Sequence, residues 1–130
     1  MYGKYTDVLE AAYVEFYESL GIRLRPVSNF TKNFDEIVDE QFDLLIVTGG
    51  GTLHPRHYVE PHNAELQPHR DALEEQLIMY CVQNEIPVIG VCRGMQHINA
   101  LFGGNYLSFC CFQSRHLPGF SNREAGCFSK

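Results

Sequence analysis

Residues 86–94 read Ile-Pro-Val-Ile-Gly-Val-Cys-Arg-Gly, and this stretch decides the fold. Its aliphatic part is short and rich in β-branched residues, which is typical of a buried strand. Gly90 and Gly94 then flank Cys92 in a Gly-x-Cys-x-Gly pattern. Small residues at these two places allow a tight strand-to-helix turn that lifts the central side chain off the sheet edge. The pattern therefore predicts a strand, a sharp turn at Cys92 and a helix directly after it.

A second aliphatic run, residues 44–47, reads Leu-Leu-Ile-Val and leads into three consecutive glycines at 49–51. Large aliphatic residues without polar alternation are typical of a parallel strand that is covered on both faces. The glycines and Cys92 both follow predicted strands. Because ligands bind at the carboxyl ends of parallel strands, we expect one site at this edge of the sheet.

Amphipathic patterns predict two longer helices, over residues 7–20 and 71–84. Apolar residues recur every four positions along the face that we expect to pack inward: Val8, Ala12, Phe16 and Leu20 in the first helix, and Leu73, Leu77 and Cys81 in the second. Shorter patterns predict a strand over residues 22–28 and a helical turn over 34–40. For the helix after Cys92, Met95, Ile98 and Leu101 are the predicted buried face. Alternation of helices and strands predicts an α/β domain with a parallel sheet.

The composition excludes several classes of protein. The chain has 130 residues, enough for one domain, and a formal net charge of −6 without a Lys/Arg cluster, which argues against nucleic-acid binding. No apolar run is long enough to cross a membrane, and the first residues lack the apolar core of a signal peptide, so we expect a cytoplasmic protein. The five cysteines then predict free thiols rather than a disulfide framework.

The predicted turn supplies several parts of a nucleophilic site. A thiol at a helix N-terminus is favoured as the reactive thiolate, since the unpaired N–H groups there carry partial positive charge. The N–H of Arg93 and that of Gly50 or Gly51 are candidate donors to an oxyanion. No general base is identified: His97 lies five positions after Cys92, about 140° around the helix, and is expected on the surface or in helix packing. A buried, inert Cys92 is the alternative.

A loop over residues 52–69 carries most of the histidines. It contains His54, His57, His62 and His69, and the first two have a spacing that metal ions accept. No cysteine or carboxylate pattern completes a site, so a metal-binding loop stays the weaker alternative to a polar loop that shapes the cleft.

With these residues in view, the chain resembles the class I glutamine amidotransferase superfamily, and within it the peptidase C26 branch of γ-glutamyl hydrolases. The resemblance rests on six groups of residues: Val47-Thr48-Gly49-Gly50-Gly51, Pro55 and Tyr58 in the loop, Arg70-Asp71 with Glu74, the run from Pro87 to Gln96, Asn99, and Gly103-Gly104. It implies a flavodoxin-like three-layer fold, with helices on both faces of a parallel sheet.

The resemblance also implies an activity. Cys92 would attack a γ-glutamyl amide carbonyl to form a thioester, which water would hydrolyse. Gly50, Gly51 and Arg93 would form the oxyanion hole, and Gln96 would lie near the glutamyl group. The substrate would be a small γ-glutamyl molecule, and no cofactor or metal is implied. A synthase partner or a homo-oligomer both stay open.

Two departures from the family pattern are visible. The family's His-x-Glu pattern does not occur after Cys92, and the short strand that precedes the family's first helix has no counterpart. We therefore interpret residues 1–104 as a partial domain, incomplete at both ends. Residues 105–130 are interpreted as a divergent tail, either a loop that packs its aromatic residues locally or a sequence unrelated to the domain, and we favour the second interpretation. A catalytically silent fragment or partner-dependent module is the resulting alternative. Arg70 and Asp71 are either simple helix-start residues or a structural tie to the region of the strand-to-helix turn at Cys92, which we call the elbow.

Overall fold

The computed structural model describes residues 6–51, 66–106 and 112–113. The chain divides into two compact units, Met1–Gln41 and Phe42–Lys130. None of the helices in the described ranges combines the length and the apolar character that a membrane crossing requires.

The first unit contains two helices, α1 (Ala11–Ser19) and α2 (Phe34–Asp39). Helix α1 begins four residues later than predicted, because Glu10 still has extended backbone angles. It ends as predicted at Gly21, whose φ is +78°. The N–H of Gly21 donates to the carbonyl of Glu18, and that of Ile22 donates to the carbonyl of Tyr17. These two bonds form a Schellman motif, in which glycine provides the left-handed residue.

The predicted inward face of α1 is wrong. Val8 lies before the helix, and the side chains of Phe16 and Leu20 are 59% and 60% exposed, whereas Tyr17 is buried. Tyr17 stacks on Tyr13 one turn earlier and meets the edge of the Phe16 ring. Apolar residues occur on more than one side of this helix, so the period of four selected the wrong stripe.

The predicted strand over residues 22–28 is also wrong, since this segment has no regular secondary structure. Pro26 lacks the N–H that a ladder bond needs. The segment ends in a turn, where the carboxylate of Asp7 accepts hydrogen bonds from the Ser28 hydroxyl and the Asn29 side chain. The short helix predicted over residues 34–40 is confirmed as α2.

The second unit contains the parallel sheet and two further helices. In chain order it has β1 (Leu45–Val47), α3 (Pro68–Gln83), β2 (Val88–Gly90), α4 (Arg93–Leu101), β3 (Asn105–Tyr106) and β4 (Phe112–Gln113). Strands β1 and β2 pair in parallel, with Val47 opposite Gly90, and β3 pairs with β4 in antiparallel register. The predicted α/β class with a parallel sheet is therefore confirmed for the described residues, with α3 between the two parallel strands.

Helix α3 supplies the core of this unit. Leu73, Leu77 and Cys81 are buried as predicted, together with Ile78, and Val47 of β1 is buried as well. The helix begins at Pro68, three residues before the predicted start, since proline is well suited to a first helical position. Burial raises the pKa of the Cys81 thiol to about 11, so this cysteine is an inert core residue.

The predicted buried face of α4 is only partly right. Ile98 and Leu101 are half-buried, but Met95 is 46% exposed. The fully buried side chains of this helix are Arg93 and His97. A polar cluster therefore occupies the inward face that the apolar pattern assigned to Met95.

Candidate active site

Cys92 occupies the turn between β2 and α4, as the sequence predicts. Its backbone has φ of +51° and ψ of −108°, and its thiol is exposed. Two other non-glycine residues among the described ones have positive φ, Gln41 and Glu85. Both lie just after a helix, whereas Cys92 lies just before α4. Such a conformation costs on the order of 1–3 kcal/mol and persists only where the surrounding structure enforces it.

The two glycines around Cys92 are required by close backbone contacts. A Cβ on Gly90 would lie 2.5 Å from the backbone nitrogen of Met95, and a Cβ on Gly94 would lie 2.0 Å from the carbonyl oxygen of Val47. Neither neighbour is a flexible side chain that could move aside. The Gly-x-Cys-x-Gly pattern is thus explained by the packing of the α4 start against the ends of β1 and β2.

The glycine turn, residues 48–51, lies at the end of β1, the strand adjacent to β2. The N–H of Val91 donates to the carbonyl of Val47, which places the end of β2 beside the end of β1. Gly50 and Gly51 follow β1 with φ of +81° and +76°. Arg93 is the first residue of α4, so its N–H has no acceptor within the helix. The predicted oxyanion donors therefore lie on neighbouring strand ends.

A buried cluster of charged residues lies between α3 and α4. We call it the Glu74 cluster, and it comprises Arg70, Asp71, Glu74, Arg93 and His97. Glu74 Oε1 accepts from Arg70 Nε at 2.6 Å, while Oε2 accepts from Arg93 Nη1 at 2.6 Å and from His97 Nδ1 at 2.8 Å. Arg93 also pairs with Asp71. Two carboxylates thus face two guanidinium groups in the interior.

The cluster keeps Glu74 ionised. Burial by itself raises the pKa of a carboxylic acid, but the hydrogen bond from His97 and the charges of Arg93 and Arg70 outweigh it. The pKa of Glu74 therefore lies below its ordinary value of 4.5. Because an ionised carboxylate only accepts hydrogen bonds, Nδ1 of His97 must carry the proton in this pair.

Arg70 connects the cluster to the glycine turn. Its Nη2 donates to the carbonyls of Thr48 at 2.7 Å and Gly49 at 2.9 Å, and its Nη1 donates to the carbonyl of Gly50 at 2.7 Å. Gln67 Oε1 accepts a further bond from Nη1. Of the two interpretations of Arg70 and Asp71, the structural tie to the elbow is therefore the right one.

The remaining candidate residues have different outcomes. Gln96 is half-buried one turn after Cys92, and its N–H donates to the Cys92 carbonyl. His97 is fully buried and faces Glu74, so the surface placement is wrong and the packing role is right. The four-histidine loop falls largely outside the described residues, and His69 is the one of its histidines that the structure describes. No group of three or more potential metal ligands occurs within the described ranges.

The central role of Glu74 and of the Arg93 side chain was missed by the sequence reasoning. A signal for it exists: Arg70 and Glu74 are four residues apart on α3, and Arg93 and His97 are four residues apart on α4. Residues with this spacing lie on one face of a helix. Two such polar pairs on helices that flank one strand could have indicated a buried cluster.

The comparison with known families gives one match. The peptidase C26 family model matches residues 2–118. The chain therefore belongs to the peptidase C26 family, within the class I glutamine amidotransferase-like proteins. No solved structure gives a significant match to the chain.

Curated relatives carry related names. YvdE of Lactococcus lactis, named as glutamine amidotransferase-like, is 33% identical over 123 residues, which cover 87% of this chain and 50% of YvdE. Two proteins named as proposed glutamine amidotransferases match over 88 residues each. PB2B2.05 of Schizosaccharomyces pombe is 32% identical, with 62% of this chain and 35% of the relative covered. Rv2859c of Mycobacterium tuberculosis is 40% identical, with 63% and 26% covered. The chain thus spans half or less of the length of these three relatives.

Proposed function

We propose that the Cys92 turn is the nucleophile site of a cysteine-dependent hydrolase of γ-glutamyl amides. One observation carries the proposal. Cys92 is an exposed thiol held at positive φ at the start of a helix, and the strand end beside it carries a turn of glycines with positive φ. Membership of the peptidase C26 family supports the class of reaction.

In the proposed reaction, the Cys92 thiolate attacks the carbonyl carbon of the γ-amide. A carbon–sulfur bond forms and the carbonyl electron pair moves to oxygen, where the N–H groups of Arg93 and of Gly50 or Gly51 stabilise the charge. The oxyanion then collapses, the carbon–nitrogen bond breaks, and the leaving amine takes up a proton from solvent. Water attacks the resulting thioester and the carbon–sulfur bond breaks, which leaves the Cys92 thiolate and the glutamyl carboxylate while the two protons of the water pass to solvent.

The substrate in this proposal is a small γ-glutamyl amide, with Gln96 near the glutamyl group. The identity of the amine is left open, as is a synthase partner that would receive ammonia. We further propose that the sheet is part of a flavodoxin-like three-layer arrangement in a cytoplasmic protein. The fold follows from the family resemblance, and the location follows from the sequence pattern.

A silent chain, or a module that needs a partner, is the second candidate. It is favoured by one feature of the sequence, since residues 93–130 contain no His-x-Glu that could supply the base and its orienting acid. Such a chain would keep the thiol and the oxyanion donors but would not accelerate acylation.

A chromogenic assay separates the two candidates. The chain is mixed with γ-glutamyl-p-nitroanilide, and p-nitroaniline release is followed together with the mass of the protein. We expect release and a γ-glutamyl adduct on the peptide that contains Cys92. The Cys92→Ala variant should show neither, and α-glutamyl-p-nitroanilide, which has the same leaving group, should not react. Absence of release and adduct with the unmodified chain would establish the silent candidate; equal release by Cys92→Ala would reject the nucleophile.

A further inference from the structure

We infer that Arg70 is a positioning residue that fixes the orientation of the peptide groups in the glycine turn, residues 48–51. By holding their carbonyls, it would direct the N–H groups of Gly50 and Gly51 to the side on which an oxyanion can be bound. This inference rests on the proposed function for its catalytic consequence. The structural part stands on contacts within the described residues.

The contacts of Arg70 define the orientation of three successive peptide units. The guanidinium group of Arg70 donates hydrogen bonds to the carbonyls of Thr48, Gly49 and Gly50. In a trans peptide, the carbonyl of one residue and the N–H of the next point in opposite directions, and the described residues contain no cis peptide bond. The N–H groups of Gly49, Gly50 and Gly51 therefore point away from Arg70.

The turn needs such a restraint because its own residues provide little. Gly50 and Gly51 both have positive φ, and glycine adopts positive or negative φ with similar ease. A peptide unit between two glycines can therefore rotate at small energetic cost. Donors that stabilise an oxyanion must be oriented before the reaction, so a fixed turn would be more effective than a mobile one.

Arg70 is suited to this role by its number of donors. Its Nε binds Glu74, its Nη1 binds Gly50 and Gln67, and its Nη2 binds the Thr48 and Gly49 carbonyls. A lysine has one nitrogen and cannot reproduce this planar fork. Glu74 in turn binds Arg93 and His97 of α4. The turn is thus restrained relative to the helix that carries the other proposed oxyanion donor.

Glycine-selective NMR tests the restraint directly. The chain is labelled with ¹⁵N-glycine and compared with Arg70→Lys and Arg70→Met. We expect the amide signals of Gly49, Gly50 and Gly51 to shift and their heteronuclear NOE values to fall. The signal of Gly103, which also has positive φ but is not among the hydrogen-bond partners of Arg70, should stay in place. The matched control is Arg25→Met. Arg25 is an exposed arginine, and both it and its partner Glu40 belong to the first unit.

Arg70→Lys keeps the inference testable if Arg70→Met does not fold. Lysine retains the positive charge beside Glu74, so the charges in the Glu74 cluster stay balanced. Its single side-chain nitrogen makes fewer hydrogen bonds to the three carbonyls of the glycine turn. Unchanged signals of Gly49–Gly51 in a folded Arg70→Lys protein would overturn the inference. This result requires no activity, so it stands apart from the fate of the proposed function.

Acylation kinetics test the catalytic consequence. With γ-glutamyl-p-nitroanilide, Arg70→Lys should lower the acylation rate at saturating substrate by about 100-fold, close to the loss of one oxyanion donor, with KM changed less than threefold. Alkylation of Cys92 by iodoacetamide should keep its rate, because that reaction forms no oxyanion. Equal acylation by both proteins would overturn the inference and leave the proposed function intact. If the unmodified chain does not acylate at all, the proposed function fails and the NMR experiment alone decides the restraint.

Discussion

His97 Nδ1 lies 2.8 Å from Glu74 Oε2, and this bond joins helix α4 to helix α3 inside the core. The other oxygen of Glu74 holds Arg70, which binds three carbonyls of the glycine turn. One carboxylate thus connects the two backbone segments to which the proposed function assigns the oxyanion donors. The stability of the second unit and the geometry of the site therefore depend on the same side chain.

The first prediction concerns the stability of the Glu74 cluster. Glu74→Gln removes the negative charge between Arg70 and Arg93, so Arg70 loses its carboxylate partner and Arg93 keeps Asp71 alone. Loss of one partner of a buried ion pair costs about 3–5 kcal/mol, so we expect a loss of about 3 kcal/mol in the free energy of unfolding. Urea-induced exposure of the Cys81 thiol, measured by pulsed alkylation and mass mapping, reports unfolding of this unit.

The control for this experiment is Glu85→Gln, an exposed glutamate in the same unit. Its free energy of unfolding should change by less than about 0.5 kcal/mol. A Glu74→Gln protein as stable as this control would show that the cluster does not stabilise the fold.

The second prediction is a dependence of stability on pH. The pKa of Glu74 is lowered in the folded chain despite its burial, because His97, Arg93 and Arg70 favour the ionised form, whereas the unfolded chain titrates near 4.5. The unfolded state therefore binds a proton first as the pH falls. The stabilisation from this group is fully present above pH 4.5 and is lost as the pH falls through the folded pKa.

Urea midpoints measured on both sides of pH 4.5 check the sign of this dependence. The midpoint of the unmodified chain should fall on acidification, and that of Glu74→Gln should fall less steeply, since glutamine does not titrate. Parallel curves for the two proteins would mean that Glu74 titrates alike in both states.

The elements around the site could be predicted because their sequence signals are local. The aliphatic runs before Gly49 and before Cys92 became β1 and β2, and the two glycines that flank Cys92 meet the backbone contacts that their pattern implied. The inward residues Leu73, Leu77 and Cys81 of α3 were also correct, although Met79 and Val82 in the same apolar run are exposed. Short strands and turn glycines are each determined within a few neighbouring residues.

The errors arose where long-range contacts decide the structure. Met95 is apolar and lies on the predicted inward face, yet Arg93 and His97 are the buried residues, because Asp71 and Glu74 from another helix neutralise and bind them. The pattern of α4 taken alone is insufficient, because the partners of Arg93 and His97 lie on α3. The strand expected over residues 22–28 failed for a related reason, since a strand requires a partner that the segment itself cannot provide.

The third prediction concerns the glycine after Arg93. A methyl group at Gly94 would lie 2.0 Å from the Val47 carbonyl oxygen, so Gly94→Ala must push β1 and α4 apart. Gly103 has φ of +86° and open space around the position of a Cβ. The only cost of Gly103→Ala is therefore backbone strain of about 1 kcal/mol. We expect Gly94→Ala to lose about 3 kcal/mol or more of unfolding free energy, measured by the same Cys81 alkylation. Similar losses for the two variants would show that the close packing of the elbow on β1 is not a stabilising constraint.

The last prediction concerns the reactivity of the two cysteines that the structure describes. Cys92 is exposed at the start of α4, whereas Cys81 is buried with its pKa raised to about 11, so at pH 7 on the order of one Cys81 in 10⁴ is a thiolate. Brief treatment with iodoacetamide at pH 7 should therefore modify Cys92 and leave Cys81 intact, as peptide mapping can show. In urea both should react at similar rates, because the difference comes from the fold and not from the local sequence. Modification of Cys81 in the native chain at the rate of Cys92 would contradict the buried core of α3 and the exposed elbow together.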